Sequence, residues 1–147
     1  MKIRVLIVSD QDGRILEPEL LRLAEPVHRQ LRPYLERDYV AHMQRVFAGG
    51  GELCVEMDGG RVAGLAVFRV HENTSEGRHL YVDDLVTDEA LRSKGVGKAL
   101  LEFLSLLARE RTCKSATLDS GTQRERAHAF YFREGFTIRS FHFVKPL

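Results

Sequence analysis

The sequence is short of cysteine, of excess charge of either sign and of long apolar runs. It has two cysteines in 147 residues, too few for a small secreted domain held together by disulfides. Lysine plus arginine (22) nearly equals aspartate plus glutamate (21), so the basic stripe expected of a nucleic-acid-binding protein is not indicated. No apolar run approaches the roughly 18 residues of a membrane span, and the N-terminal run is too short for a signal peptide. We therefore expect a cytoplasmic protein that binds neither nucleic acid nor membrane.

The cysteines and histidines do not indicate a metal site or a catalytic thiol. Cys54 and Cys113 lie in apolar, strand-like stretches, so we expect buried free thiols. The six histidines show no spacing typical of zinc ligands. We expect no metal cofactor.

The apolar and charged fractions, 44% and 29%, are typical of a globular chain, and the length fits a single domain spanning residues 1–147. Periodicity and turn residues predict the order β-α-α-β-β-β-α-β-α-β. The predicted strands cover residues 3–8, 52–57, 61–70, 79–87, 115–118 and 138–144, and the predicted helices cover 17–30, 37–47, 96–111 and 124–133. Hairpins and helical crossovers are mixed in this order, which predicts an α+β fold whose mixed sheet is covered by helices.

Local signals refine this outline. Asp58-Gly59-Gly60 predicts a hairpin turn, because glycine tolerates the positive φ that such turns need. The segment 63–68 is apolar at both alternating sets of positions, which predicts a central strand covered on both faces. Pro26 is expected to start, kink or stop the first helix. The polar stretch His71–Gly77 is expected to be a loop.

A glycine-spaced turn before the clearest helix carries the strongest chemical signal. The first turn of any helix leaves its N–H groups without intrahelical partners, at the positive end of the macrodipole. Gly95 and Gly97 have no Cβ, so a phosphate can approach the backbone closely. Further positive charge comes from Arg92, Lys94 and Lys98. Together these residues predict a phosphate-binding site.

Three phosphate-binding motifs compete for this segment. A Walker P-loop requires glycine at position 92 and a hydroxyl residue after Lys98, where this chain has Arg92 and Ala99. A dinucleotide fingerprint requires a third glycine where Leu100 stands. The pattern [QR]-x-x-G-x-[GA] fits Arg92–Gly97 completely, although an ordinary helix start with glycines is the alternative.

In this motif the chain resembles the GCN5-related N-acetyltransferase (GNAT) family. The preceding strand, Leu80–Val86, looks like the fourth strand of that family. Ala127–Phe136 looks like its A-x-x-[FL]-Y-x-x-x-G-F helix. The resemblance is specific over residues 78–136 and looser before them.

The resemblance implies a mixed, mostly antiparallel central sheet with helices on both faces and splayed fourth and fifth strands. It implies that acetyl-CoA is the cosubstrate, with its pantetheine arm between those strands and a backbone N–H near Leu85 polarising the thioester carbonyl. The pyrophosphate would meet the N–H groups of Ser93–Lys98. The residues assigned to cofactor binding are Leu85, Val86, Arg92, Ser93, Lys94, Gly95, Val96, Gly97, Lys98 and Tyr131.

The resemblance also suggests catalytic residues. Tyr131 matches the family tyrosine that protonates the departing thiolate, although it could instead fill the core as one aromatic of a run. Asp83 is expected to be the base or a water-mediated proton acceptor, and Asp84 an anchor for the substrate. The alternative is that both acids cap loops or pair with arginines.

We therefore expect an N-acetyltransferase that moves an acetyl group directly from acetyl-CoA to a primary amine. The acceptor would be a small cationic, polyamine-like amine or a protein lysine or N-terminus, bound mainly by the segment Glu17–Phe47 and the His71–Gly77 loop. The alternatives are a non-catalytic CoA-binding sensor or regulatory module and, more weakly, transfer of a longer acyl chain. Eleven residues follow Phe136, enough for one strand where many members have two, so a homodimer that fills the open edge is possible.

Overall fold

Five strands form a sheet in the order in which they occur along the chain. They are β1 (Arg4–Ile7), β2 (Glu52–Asp58), β3 (Arg61–Asn73), β4 (Gly77–Thr87) and β5 (Ser115–Leu118). The helices are α1 (Pro18–Leu31), α2 (Tyr39–Ala48), α3 (Val96–Glu110) and α4 (Glu125–Arg133), with a short 3₁₀ turn at Glu89–Leu91. This computed structural model describes residues 4–147. Among those residues, no helix has the length and apolar character needed to cross a membrane.

The chain divides into two compact units. The first is Met1–Thr117, of which residues 4–117 are described, and the second is Leu118–Leu147. Strands β1 to β4 are joined antiparallel in sequence. Strand β5 runs parallel to β4, as the helical crossover through α3 requires. The predicted mixed, mostly antiparallel sheet is confirmed.

Strand β3 is central, and its two faces contact different helices. Leu65 and Val67 point into a core cluster shared with residues of α1 and α2. The preceding residue, Gly64, faces α3, because a Cβ built there would lie 2.6 Å from Cγ1 of Val96. The alternation that predicted a strand covered on both faces is therefore confirmed.

Helix α1 shows that one proline does not end a helix that packs well. It continues through Pro26 to Leu31 and buries Leu21, Ala24 and Val27 against the sheet. The expectation that α1 starts or stops at Pro26 was wrong, because the burial of this face outweighs one missing hydrogen bond.

Two predicted boundaries were also wrong. The segment His71–Gly77 is mostly strand, because β3 continues to Asn73 and pairs with Gly77 at the start of β4. The closing strand predicted at 138–144 is absent, and α4 is the last regular element of the described chain. A strand needs a neighbouring strand with which its backbone N–H and C=O groups can hydrogen-bond. The alternation of apolar and polar residues within the segment does not show whether such a neighbour exists.

The two cysteine thiols differ in their burial. Cys54 is buried on β2, and burial raises the pKa of its thiol to about 12, which makes it inert. Cys113 is only half-buried, so the expectation of two buried thiols is correct for Cys54 alone.

Candidate active site

The glycine-spaced turn follows β4 and the 3₁₀ turn Glu89–Leu91, and its approach is held in place by side chains from other elements. The Asp88 carboxylate accepts a hydrogen bond from the Ala90 N–H at 3.1 Å and pairs with Arg61 at 2.7 Å. Gln30, near the end of α1, accepts the Glu89 N–H at 2.9 Å. These contacts fix the entry to α3 relative to β3 and α1.

The first turn of α3 has the geometry of an anion-binding site. Gly95 is the N-cap residue with φ of 83°, in the left-handed region that glycine adopts without strain. No side chain of the described residues caps the helix, and a Cβ at Gly95 would meet nothing within 4 Å. Within Arg92–Lys98, five of the seven predicted contact residues are exposed, namely Arg92, Ser93, Lys94, Gly95 and Lys98. The amides therefore face open space at the positive end of the helix, which fits the diphosphate of CoA.

Gly64 allows this turn to lie close to the sheet. A Cβ at Gly64 would also come within 2.8 Å of the Val86 carbonyl oxygen. The absence of that Cβ lets Val96, buried at the start of α3, pack directly on β3.

The second half of β4 has an outer edge that β5 is too short to follow. The Lys114 N–H donates to the Arg78 carbonyl at 2.8 Å, so pairing begins near the start of β4. β5 has four residues and β4 has eleven, so β5 cannot extend along β4 as far as Leu85 and Val86. On their other side these two residues pair with Ala66 and Leu65 of β3.

A bulge in β4 directs both acids of the pair to one side. Val67 pairs with Asp84 but Phe68 pairs with Val82, which leaves Asp83 as the extra residue. In regular alternation the two carboxylates would point to opposite faces. Instead both line a cavity of about 490 Å³ together with residues of α1, the α1–α2 connection and α2. None of the lining residues comes from the segment 71–77.

Asp84 is held by two basic side chains, that of His28 in α1 and that of Arg32 at the C-cap of α1. Its carboxylate contacts His28 Nε2 at 2.7 Å and Arg32 Nε at 2.8 Å. Burial by itself would raise the pKa of Asp84, but the hydrogen bonds and charges of His28 and Arg32 hold it below its ordinary value. Asp84 is therefore ionised at neutral pH.

His28 connects Asp84 to a buried tyrosine. Its Nδ1 lies 2.9 Å from the Tyr39 hydroxyl, and both side chains are almost fully buried. Burial raises the pKa of Tyr39, so the phenol keeps its proton. Because an ionised carboxylate only accepts, Nε2 of His28 carries the hydrogen that bonds Asp84. Sequence reasoning missed His28, although a histidine on the apolar face of α1 was a signal.

Asp83 is paired with Arg69 of β3. Nε and Nη2 of Arg69 approach the same carboxylate oxygen at 3.0 and 2.7 Å. The alternative considered from the sequence, that both acids pair with arginines, therefore describes the contacts observed. The pattern could not identify Arg32 and Arg69 as the partners, since both look like ordinary surface arginines.

Tyr131 lies on α4 in the second unit. Its ring contacts those of Phe130 and Phe136 at centroid distances of 5.4 and 5.7 Å. The Phe136 N–H donates to the Tyr131 carbonyl at 2.9 Å and closes the helix end. Burial raises the pKa of the Tyr131 phenol, so it is protonated at neutral pH.

Residues 4–147 contain no group of three or more histidine, cysteine, aspartate or glutamate side chains that could hold a metal ion.

Comparisons with known proteins agree with the fold. The family model described as acetyltransferase (GNAT) family matches residues 18–136. The N-acetyltransferase YhdJ of Bacillus subtilis (strain 168) is 36% identical, over 83% of this chain and 88% of that protein.

Two solved structures show the same fold at low sequence identity. AAC(6')-Iy in complex with the bisubstrate analogue CoA-S-monomethyl-acetylneamine has a TM-score of 0.81 at 14% identity, with 100% of both chains covered. The ribosomal-protein-alanine N-acetyltransferase of Brucella melitensis biovar Abortus 2308 has a TM-score of 0.79 at 18% identity, with 99% of both chains covered. The family match and the curated relative together show that this chain belongs to the GNAT family and is an acetyltransferase.

Proposed function

We propose that this acetyltransferase moves an acetyl group from acetyl-CoA directly to a primary amine. The observation that carries the proposal is the placement of β4: the strand bears the acid pair and leads, through the 3₁₀ turn Glu89–Leu91, to an exposed, uncapped helix N-terminus. The CoA-containing analogue bound to the similar structure AAC(6')-Iy supports the choice of cosubstrate. The N-acetyltransferase relative supports an amine nitrogen as acceptor.

The turn would bind the cosubstrate through its backbone. The amides of Ser93–Lys98 would hold the diphosphate, with added charge from Arg92, Lys94 and Lys98. The open edge of β4 near Leu85 and Val86 would pair with the pantetheine arm, and an N–H near Leu85 would stabilise negative charge on the carbonyl oxygen. An exposed turn and an unpaired strand edge are what such a ligand requires.

The acid pair would divide its roles. An amine attacks only after it has lost its proton, so the site needs a proton acceptor. Asp83 is the proposed acceptor, directly or through a water, and Asp84 the anchor of the acceptor site. The lowered pKa of Asp84 supports this division, because a carboxylate stabilised in its ionised form is a weaker base.

Tyr131 is the proposed acid for the departing thiolate. Its raised pKa keeps the phenolic proton available at neutral pH. Replacing Tyr131 by Phe should lower kcat by about 100-fold or more and leave the affinity for acetyl-CoA nearly unchanged. Steady-state kinetics and calorimetry measure the two quantities, and an unchanged kcat would remove Tyr131 from this role.

The central test is binding followed by turnover. Isothermal titration calorimetry of the purified protein should show acetyl-CoA binding, and mass spectrometry should detect acetylated product from a panel of primary amines. Failure to bind at millimolar acetyl-CoA would reject the proposal. Binding without product from any small amine, peptide lysine or peptide N-terminus would reject the catalytic part.

We further propose a homodimer that acts in the cytoplasm. Support for the dimer comes from the C-terminal segment, where Phe141 and Phe143 are 78% and 91% exposed, because exposed aromatic clusters mark association surfaces. Sedimentation equilibrium should show a dimer that the double variant Phe141→Ser, Phe143→Ser weakens. A wild-type monomer at micromolar concentration would contradict it.

A further inference from the structure

We infer that the acceptor carries an anionic group, a carboxylate or a phosphate, beside its amine, and that Arg32 binds this group. The inference rests on the proposed function, because it concerns the acceptor of the same reaction. It starts from the charges that line the cavity around Asp83 and Asp84.

The acids of the cavity are already neutralised by the chain itself. Asp84 pairs with Arg32 and His28, and Asp83 pairs with Arg69. The lining contains two arginines and two aspartates. A polycation would therefore meet a site with no net negative charge, and would have to displace an arginine to reach a carboxylate.

In both ion pairs the arginine is the more accessible partner. The Arg32 side chain is 50% exposed against 13% for Asp84, and Arg69 is 30% exposed against 23% for Asp83. A ligand that enters the cavity therefore meets guanidinium before it meets carboxylate. This order favours an anionic group on the ligand.

Arg32 has hydrogen-bonding capacity left for such a group. Its Nε donates to Asp84 Oδ1, Nη2 lies 2.7 Å from the same oxygen, and Nη2 also donates to the Asp83 carbonyl at 3.3 Å. No contact within the described chain uses Nη1 of Arg32, which leaves its two N–H donors for a ligand. A guanidinium edge suits the oxygens of a carboxylate or a phosphate.

The remaining wall fits an aliphatic body between the two polar ends. Its apolar part is formed by Leu31, Leu35, Met43, Val46 and Val67, beside the rings of Tyr34 and His42. The acceptor class is therefore a short aliphatic amine with one anionic group, such as an amino acid or an amino phosphate. Its amine would lie toward Asp83 and its anion on Nη1 of Arg32.

Matched acceptors test this class. With saturating acetyl-CoA, kcat/KM is measured for β-alanine, 4-aminobutyrate and 5-aminovalerate, each against the alkylamine of equal carbon number, and for phosphoethanolamine against ethylamine. The best anionic amine should exceed its match without the anionic group by about tenfold to a hundredfold. Comparing the carboxylate-bearing acceptors with phosphoethanolamine shows which anion the enzyme prefers. Cadaverine and a lysine peptide with blocked ends represent the cationic classes.

Variants assign the preference to Arg32. Arg32→Gln should remove the preference for the anionic acceptor and raise the relative rate with cadaverine, since it leaves Asp84 less neutralised. Arg32→Lys should keep part of the preference for the anionic acceptor. Arg37→Gln makes the same charge change at an exposed arginine outside the cavity lining and should leave the ratio unchanged. A ratio of two substrates does not depend on the fraction of folded enzyme.

The outcomes separate this inference from the proposed function. If an alkylamine, cadaverine or the lysine peptide is acetylated at least as well as every anionic acceptor, the inference is wrong and the proposed function stands. An anionic preference that survives Arg32→Gln also overturns it. If acetyl-CoA does not bind and no amine is acetylated, both fail.

Discussion

Two carboxylates on opposite faces of the sheet, Asp84 and Glu56, have opposite environments. Asp84, on the face covered by α1 and α2, is held by His28 and Arg32, and the pKa of Asp84 is lowered. Glu56 pairs across the strands with Gly64, which faces α3. Glu56 is 1% exposed, and within the described chain neither of its carboxyl oxygens has a hydrogen-bond partner. The contacts of Asp84 thus stabilise its charge, whereas Glu56 is buried without a partner, unlike Glu52 on the same face of β2, which is paired with Arg111 at 2.6 Å.

The largest expected effect is the pH dependence that Glu56 imposes on stability. Burial raises its pKa from 4.5 to about 7, so the folded protein keeps a proton that the unfolded chain loses. The free energy of unfolding should therefore fall as the pH rises from about 4.5 to 7, by about 3 kcal/mol, and change no further above that window.

Urea unfolding of wild type and Glu56→Gln at pH 5 and pH 8 measures this contribution. The wild type should lose about 3 kcal/mol more than the variant between the two pH values. Equal losses would show that the carboxylate of Glu56 has a partner and that its environment does not differ from that of Asp84.

The next effect is the loss of Asp84. Asp84→Ala leaves Nε2 of buried His28 without its acceptor and should lower the free energy of unfolding by about 2 to 3 kcal/mol. Asp83→Ala affects a more exposed pair and should lower it by about 1 kcal/mol. Denaturant unfolding at pH 7 measures the free energy of unfolding of both variants. Equal losses would contradict the structure, in which Asp84 is more buried than Asp83.

A smaller effect is expected from close packing under the turn. Gly64→Ala places a Cβ within 2.8 Å of the Val86 carbonyl oxygen, which belongs to the backbone and cannot rotate away. The variant should lose about 2 kcal/mol of stability and bind acetyl-CoA more weakly, because α3 must shift. Gly60→Ala, where a Cβ meets nothing within 4 Å, is the matched control, and no difference between the two would argue against close packing.

The smallest effect concerns the turn itself. Gly95→Ala forces an alanine into the left-handed region and should cost about 1 kcal/mol. Gly50→Ala imposes similar strain at φ of 102° with equally open surroundings. Both should lose similar stability in thermal unfolding, but calorimetry should show weaker acetyl-CoA binding only for Gly95→Ala. Equal affinities would place the diphosphate elsewhere.

Much of the fold was predictable because its signals are local. The hairpin at Asp58–Arg61 and the limits of β5 agree with the sequence prediction, since turn residues and short apolar runs act within a few positions. The predictions for 71–77 and 138–144 failed for a shared reason. Whether a segment is strand depends on a neighbour, and Asn73 has one in Gly77 whereas 138–144 forms no strand.

The sequence by itself determined the family and the helix start at Arg92–Lys98, because unpaired amides and missing Cβ atoms are properties of consecutive residues. It also located the acid pair, Asp83 and Asp84. Only the tertiary structure decided which basic side chains hold that pair. His28 and Arg32 lie 56 and 52 positions away from Asp84, and a bulge in β4 directs both carboxylates to one cavity. Ion pairing depends on distance in space, which no spacing along the chain encodes.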